Sequence, residues 1–164
     1  MMLETIEFKT CLSKFASGVT VITTCNKENE KVGVTISAFS TLSLSPPLIL
    51  FCLGKKAFTI NEFKECNKFA VCMLAEKQQQ ISNQFAYSED PWQGVESFKG
   101  EYGSDIIANC IAYLECEKYQ EIDGGDHIIF VGLVLNAKTL SNSAPLIHYQ
   151  SNYFSLKENK LITS

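Results

Sequence analysis

The sequence contains no arginine: its 14 basic residues are all lysines, set against 18 acids for a net charge of −4. That balance argues against nucleic acid as the main partner, because phosphate backbones are bound through clustered positive charge. Any anionic ligand must be held by lysine, hydroxyls and backbone N–H groups, since the bidentate guanidinium fork is missing. Histidine is nearly absent as well, with only His127 and His148, and none of the seven cysteines forms a C-x-x-C pair. A metal centre is not expected from such spacings. Long apolar runs are lacking too. The longest, Pro46–Gly54, has nine residues, about half of what a membrane-spanning helix needs. The opening Met-Met-Leu-Glu-Thr-Ile-Glu carries early acids and no basic segment, so neither a secretory leader nor a membrane partner is expected. The G-x-S-x-G of an acyl-transfer serine and the Walker phosphate loop are both absent.

What remains is an ordinary globular composition, 46% hydrophobic and 20% charged over 164 residues. One domain spanning 1–164 is expected, with enough chain to bury roughly 70% of its unfolded surface. The odd cysteine count, with members inside runs such as Leu50-Phe51-Cys52-Leu53, points to free thiols acting as small apolar residues in a reducing cytoplasm.

Along the chain, apolar residues at Ile6, Leu12, Phe15 and Ala16 suggest a helix closed by Gly18. Val19–Cys25 is a β-branched run, Asn26–Lys31 a charged turn, and Val32–Ser40 alternates an apolar face with a hydroxyl face. Pro46-Pro47 breaks the sheet before Leu48–Leu53, which reads as a fully buried strand. Thr59-x-x-Glu62 has the pattern of a capping box opening a short helix over Ile60–Asn67. A buried strand over Phe69–Leu74 and a helix over Gln78–Ala86 follow. Tyr87–Asp105 is long for a passive connection and reads as a lid or binding loop. Cys110–Ile122, Asp126–Leu140 and Pro145–Leu156 read as strands, with a hairpin turn at Gly124-Gly125. The expected fold is mainly β with a few short helices, a closed or split β-barrel without βαβ alternation.

Candidate chemistry lies in three places. Thr35 and Ser37 share a strand face that can bond a planar heteroaromatic ring, or that simply faces water. Gly54-Lys55-Lys56-Ala57-Phe58-Thr59, between a strand and a helix start, is either a phosphate seat or a solvated lysine turn. Gly124-Gly125-Asp126-His127 puts an imidazole beside an acid where a turn enters an apolar strand, in a structural or a functional role.

The order of these features resembles the flavin reductase domain family. The resemblance is carried by Phe15-Ala-Ser-Gly-Val-Thr-Val-Ile-Thr-Thr24 and by Gly33-Val-Thr-Ile-Ser-Ala-Phe-Ser-Thr-Leu-Ser-Leu-Ser-Pro-Pro-Leu48. It is carried further by Gly125-Asp126-His127-x-Ile129-Phe130-x-Gly132 and by Pro145-Leu146 with Tyr153, so it runs from about residue 8 to 156. It implies an FMN-binding split β-barrel of Greek-key type, a homodimer, and reduction of FMN (FAD or riboflavin as alternatives) by NADH or NADPH. It also implies a partner monooxygenase that consumes the reduced flavin. Carried over by position, Thr35, Ile36, Ser37 and Ala38 would touch the flavin ring. Cys52, Leu53, Lys55, Lys56, Ala57 and Thr59 would surround the ribityl chain and phosphate, and Phe85 would pack nearby. His127 would be the catalytic residue on the nicotinamide side, with Phe15, Ser17, Gly18 and Tyr153 as neighbours. Hydride transfer needs stacking and a dry site more than acid–base groups, so the absence of a triad agrees with this reading. Two departures stand out: Ala57 where relatives carry serine in the phosphate turn, and His148 where they carry an aromatic. Without arginine, a 2′-phosphate would rest on lysine alone, which favours NADH. The alternatives from other classes are a flavoredoxin-like FMN-binding electron carrier without a nicotinamide site, and a barrel kept only as a dimerisation scaffold.

Overall fold

The computed structural model describes residues 5–156, so the reading of Met1–Glu4 as free of a leader lies outside the described residues. In chain order the elements are α1 (Thr5–Leu12), β1 (Ser17–Gly18), β2 (Thr20–Cys25), β3 (Lys31–Ile36), β4 (Phe39–Leu44) and β5 (Pro47–Gly54). They continue with α2 (Ile60–Glu65), β6 (Lys68–Met73), a 3-10 turn over Glu76–Gln78, α3 (Gln79–Tyr87), β7 (Ser97–Lys99) and β8 (Asp105–Ile107). The chain closes with β9 (Ala112–Gly124), β10 (His127–Thr139), β11 (Leu146–Tyr149) and β12 (Asn152–Ser155). Mainly β with short helices is therefore what forms.

The main sheet has seven antiparallel strands in the order β3-β2-β6-β9-β10-β5-β4. Its two edge strands, β3 and β4, are consecutive in the chain and separated only by Ser37 and Ala38. The sheet must therefore curl until its edges approach, and the backbone at Ala38 accepts a hydrogen bond from Cys52 N–H at 2.9 Å. That junction is where the cleft described below opens. A second sheet, β1-β11-β12, joins the N-terminal segment to the C-terminal hairpin, with Ser17 opposite His148.

Two cores lie on opposite faces of the shared strands β2 and β6. Alternation puts Ile22, Phe69 and Val71 into one core and Val21, Ala70 and Cys72 into the other, as the period of two requires. In the first core Phe51 meets Phe63, Phe69 and Phe130 at ring-centroid distances of 5.8, 5.3 and 5.1 Å. Each such pair adds about 0.5–1.5 kcal/mol beyond its buried area. The second core carries Phe85 of α3, whose ring lies directly over Gly33; a Cβ there would come within 2.4 Å of it.

Several expectations need correction. The N-terminal helix stops at Leu12, and Gly18 lies in β1 rather than at a helix end. Thr59 precedes α2 but makes no capping bond, and one carboxylate oxygen of Glu62 is buried without a partner, so the capping box does not form. Pro145–Leu156 is a hairpin of two strands, turned at Gln150 and Ser151 with φ of 48° and 61°. β5 is not buried on both faces: Ile49, Phe51 and Leu53 enter the core, while Leu50, Cys52 and Gly54 are only half-buried.

The 87–105 segment is not a lid. Glu115, fully buried on β9, accepts backbone N–H bonds from Glu101 and Tyr102, each at 2.9 Å, and one from the Asn136 amide at 3.1 Å. Asp105 is buried, pairs with Lys99 at 2.7 Å and Lys31 at 3.4 Å, and its carbonyl accepts the Thr23 hydroxyl at 2.6 Å. Trp92 stands edge-on to Phe85 at 5.0 Å. The two buried carboxylates, each met by several donors, tether the segment, although Trp92 Nε1 is itself buried without a partner.

Candidate functional site

A cleft of about 560 Å³ opens at the junction of the sheet edges. Its walls come from four places: Leu12, Ser13, Phe15 and Ser17 before β2; Ser37, Ala38, Phe39 and Ser40 between β3 and β4; Leu50 and Cys52 of β5; and His148 and Ser151 of the C-terminal hairpin. The lining is largely apolar with hydroxyls at intervals, the make-up of a site for a planar, partly polar ligand. Phe39 and Gly18 also border a smaller adjoining cavity of about 180 Å³.

Strand periodicity extends this wall towards His127. Cys52 and Gly54 share one face of β5, and the β5–β10 register sets Gly54 opposite His127 and Cys52 opposite Ile129. His127 is thus one step along the same face from the cleft lining. A methyl at Gly54 would stand 3.7 Å from its Nε2, so the imidazole lies against bare backbone there. Its Nδ1 is 2.6 Å from Asp126 Oδ1, and this contact holds the Asp126 carboxyl below the usual carboxylate range. The carboxylate orients the ring through Nδ1 and leaves Nε2 without a hydrogen-bond partner among the described residues, with 49% of the side chain exposed.

The turn after β5 supplies the cationic end. Lys55 N–H donates to the Asp126 carbonyl at 2.9 Å, which ties this turn to the one carrying His127. Among the described residues Lys56 has no ion pair, and the N–H groups of Lys56, Phe58 and Thr59 have no partner. The Thr59 hydroxyl is buried without a partner as well. Unmet donors beside two lysines fit the phosphate of a flavin nucleotide, the group that the fold implies.

The other expected residues fall differently. Thr35 turns away from the cleft: its face of β3 is covered by α3, and its hydroxyl donates to the Ser82 carbonyl at 2.7 Å. Ser37 escapes that fate because β3 ends at Ile36. Ile36 and Leu53 are core residues, leaving only their backbones for a ligand, and Ala57 packs against the same core. Phe85 is enclosed in the second core. Tyr153 does not line the cleft either; its hydroxyl shares a hydrogen bond with Ser82 at 2.8 Å, and its ring stands edge-on to His148 at 5.8 Å. Leu12, Ser13, Phe39, Ser40, Leu50 and Ser151 line the cleft and were not anticipated. Leu50 carried no separate signal, because it sits in an apolar run whose half-exposure appears only in the folded chain.

Residues 12–157 match the family described as flavin reductase like domain. The chain belongs to the flavin reductase family. Among its relatives is the reductase component of a flavin-dependent trigonelline monooxygenase from Acinetobacter baylyi, 36% identical over 149 residues. That match takes in 90% of this chain but 48% of the relative, so the chain spans about half of that protein. The flavin-dependent monooxygenase reductase subunit HsaB of Mycobacterium tuberculosis is 35% identical over 156 residues, covering 93% of this chain and 83% of HsaB. Among solved structures, the NADH:FAD oxidoreductase SgcE6 of Streptomyces globisporus, in complex with NAD and FAD fragments, superposes with a TM-score of 0.89 at 30% identity. It covers 97% of this chain and 98% of its own. The curled seven-stranded sheet is the split β-barrel of this family.

Proposed function

We propose that this flavin reductase oxidises NADH, or less readily NADPH, and passes the hydride to FMN held at the β3–β4–β5 junction. The observation that carries this reading is the alignment, on one face of β5 and its turn, of a hydroxyl-bearing apolar cleft, a half-exposed imidazole and a two-lysine turn in which Lys56 has no ion pair among the described residues. When bound, the flavin supplies the hydride acceptor at N5.

In this reading Ser37 and Ala38 hold the ring edge and Cys52 lies under it, while Lys55, Lys56 and the free N–H groups up to Thr59 hold the phosphate. His127, fixed by Asp126, positions the nicotinamide and supports the negative charge that reduction adds; Phe15, Ser17 and His148 close the far wall. None of these roles requires a proton to move through the protein, so the chain has to exclude water and align two rings. FAD fits the same cleft with its adenylate outside. Both lysines of the turn serve a single phosphate, and the lack of arginine leaves NADH the better donor.

The wider setting follows from the surface. The face of β5 outside the core, the β4 edge with Leu44 96% exposed, and the fully exposed Phe58 form apolar ground that a second copy of the chain would cover. A homodimer is the assembly this surface supports. The seven free cysteines support a reducing compartment, the cytoplasm. One domain spanning the chain, working for a monooxygenase that consumes reduced flavin, completes the reading.

The test is a visible spectrum of flavin-loaded protein before and after anaerobic NADH. Bleaching of the flavin bands is the expected result, and bands that persist with both NADH and NADPH overturn the reductase reading. Replacing His127 with alanine raises the KM for NADH while flavin affinity stays; unchanged kinetics would remove the nicotinamide role from this residue.

A further inference from the structure

The cationic turn is not free to serve a ligand without cost. Lys55 Nζ lies 2.6 Å from Asp123 Oδ2, a carboxylate at the end of β9. The other oxygen of Asp123 accepts the Gly125 N–H at 3.2 Å, so the carboxylate is part of the turn that leads to His127. The Lys55 backbone is anchored to the same turn through the Asp126 carbonyl. The lysine side chain therefore swings from a fixed root and rests on Asp123.

From this geometry we infer that Asp123 competes with the flavin phosphate for Lys55 and so sets how readily phosphorylated flavin leaves. The inference rests on the flavin reading of the cleft. Two routes lead to the same outcome. If Lys55 leaves Asp123 for the phosphate, the ion pair is lost. If it bridges both, a carboxylate stays beside a phosphate dianion and repels it. Both partners are open to solvent, 38% exposed for Lys55 and 75% for Asp123, so the effect has the size of a surface pair, up to about fivefold in affinity. Only flavins bearing phosphate feel it; riboflavin does not. Ala57, which offers no hydroxyl to a phosphate, works in the same direction. Together they suit a flavin that is released after reduction rather than kept.

The experiment is an equilibrium titration of FMN and of riboflavin, by quenching of flavin fluorescence, with wild type, Asp123→Asn, Lys55→Gln and the double variant. Asparagine keeps an acceptor for the Gly125 N–H, and a thermal melt of each variant confirms folding. Asp123→Asn is expected to tighten FMN by about two- to fivefold and leave riboflavin unchanged. In the Lys55→Gln background the same replacement is expected to lose most of its effect, because the two residues act through one contact. FMN binding that is unchanged or weakened in Asp123→Asn overturns the inference. So does an equal gain for riboflavin, or a full gain that persists without Lys55. These failures leave the flavin site intact, whereas wild-type protein that binds neither flavin overturns the flavin reading and this inference with it.

Discussion

Glu115 offers the sharpest test of how the fold is held. It is a fully buried carboxylate with no ion-pair partner among the described residues, and it is satisfied by three donors: Glu101 N–H, Tyr102 N–H and the Asn136 amide. Glu115→Gln keeps the shape but turns one acceptor oxygen into an NH2 group. That NH2 faces a backbone N–H, so one buried donor goes unmet at about 1–3 kcal/mol. The surviving bonds lose the strength that the charge lent them. The sum is roughly 3 kcal/mol. At about 2–4 °C per kcal/mol for a chain of this size, the melting temperature falls by roughly 6–12 °C. Gly100 closes the escape route, since a Cβ there would lie 2.3 Å from Glu115 Oε1; the backbone presses on the carboxylate and has little room to adjust. Urea denaturation at neutral pH measures the loss, and limited proteolysis should show faster cleavage between Ser97 and Asp105. A Glu115→Gln protein within about 0.5 kcal/mol of wild type would refute the anchor. Turnover per folded molecule should not change, because no residue of 88–105 lines the cleft. A shifted KM for NADH would return that segment to the role of a lid.

Gly132→Ala would drive a Cβ to 2.5 Å from Phe69 Cζ and 3.1 Å from Cys116 Cβ. We expect a loss of about 1–3 kcal/mol in the denaturation midpoint, with Gly18→Ala, which meets nothing within 4 Å, as the near-neutral control. Ellman's reagent should label the exposed Cys11 and Cys25 rapidly in the native protein, and Cys72, Cys110 and Cys116 only after unfolding. Burial pushes the Cys116 thiol up to about 12. The folded chain therefore holds that proton more tightly than the unfolded one, and stability measured by denaturation should fall as pH rises from about 9 towards 12. A flat alkaline limb would contradict the burial. The proposed homodimer predicts that wild type sediments as a dimer and Leu44→Lys closer to a monomer; a monomeric wild type would overturn the proposal, and a dimeric variant would place the interface away from the β4 edge.

Much of this architecture was legible because strands announce themselves by composition. Val19–Cys25, Phe69–Leu74 and the Gly124-Gly125 turn all fall where β-branched runs and glycines put them. The site was legible in part. Ser37 and Ala38 line the cleft, where the motif holds them at the strand end, while the lysine turn lies beyond the lining, past Cys52 and Gly54. Thr35 misled, because a hydroxyl face can bond a helix as well as a ligand, and only the placement of α3 over Gly33 decides which. Phe85 lies on that same helix, and its ring packs on Gly33 and in the second core. The run Leu48–Leu53 looked buried on both sides, since apolar residues do not declare whether protein, cofactor or a second subunit will cover them. The 87–105 segment looked like a lid because length signals freedom, whereas its fastenings, Asp105 and Glu115, are single acids with no local signature. Asp123 was invisible too, because its partner is 68 residues away in the chain.

The cleft takes its walls from both ends of the described chain: Leu12 to Ser17 on one side, His148 and Ser151 on the other, joined by the β1–β11 pairing. The seven strands of the barrel are laid down by Thr139, yet the hairpin that follows does more than wall the pocket. Leu146 is 2% exposed in the second core, its carbonyl accepts the Val19 N–H at 3.0 Å and its own N–H donates to the Leu74 carbonyl at 2.9 Å. One short segment thus links the ligand wall to the interior, and damage to it would be felt twice, as an open pocket and as an emptied core.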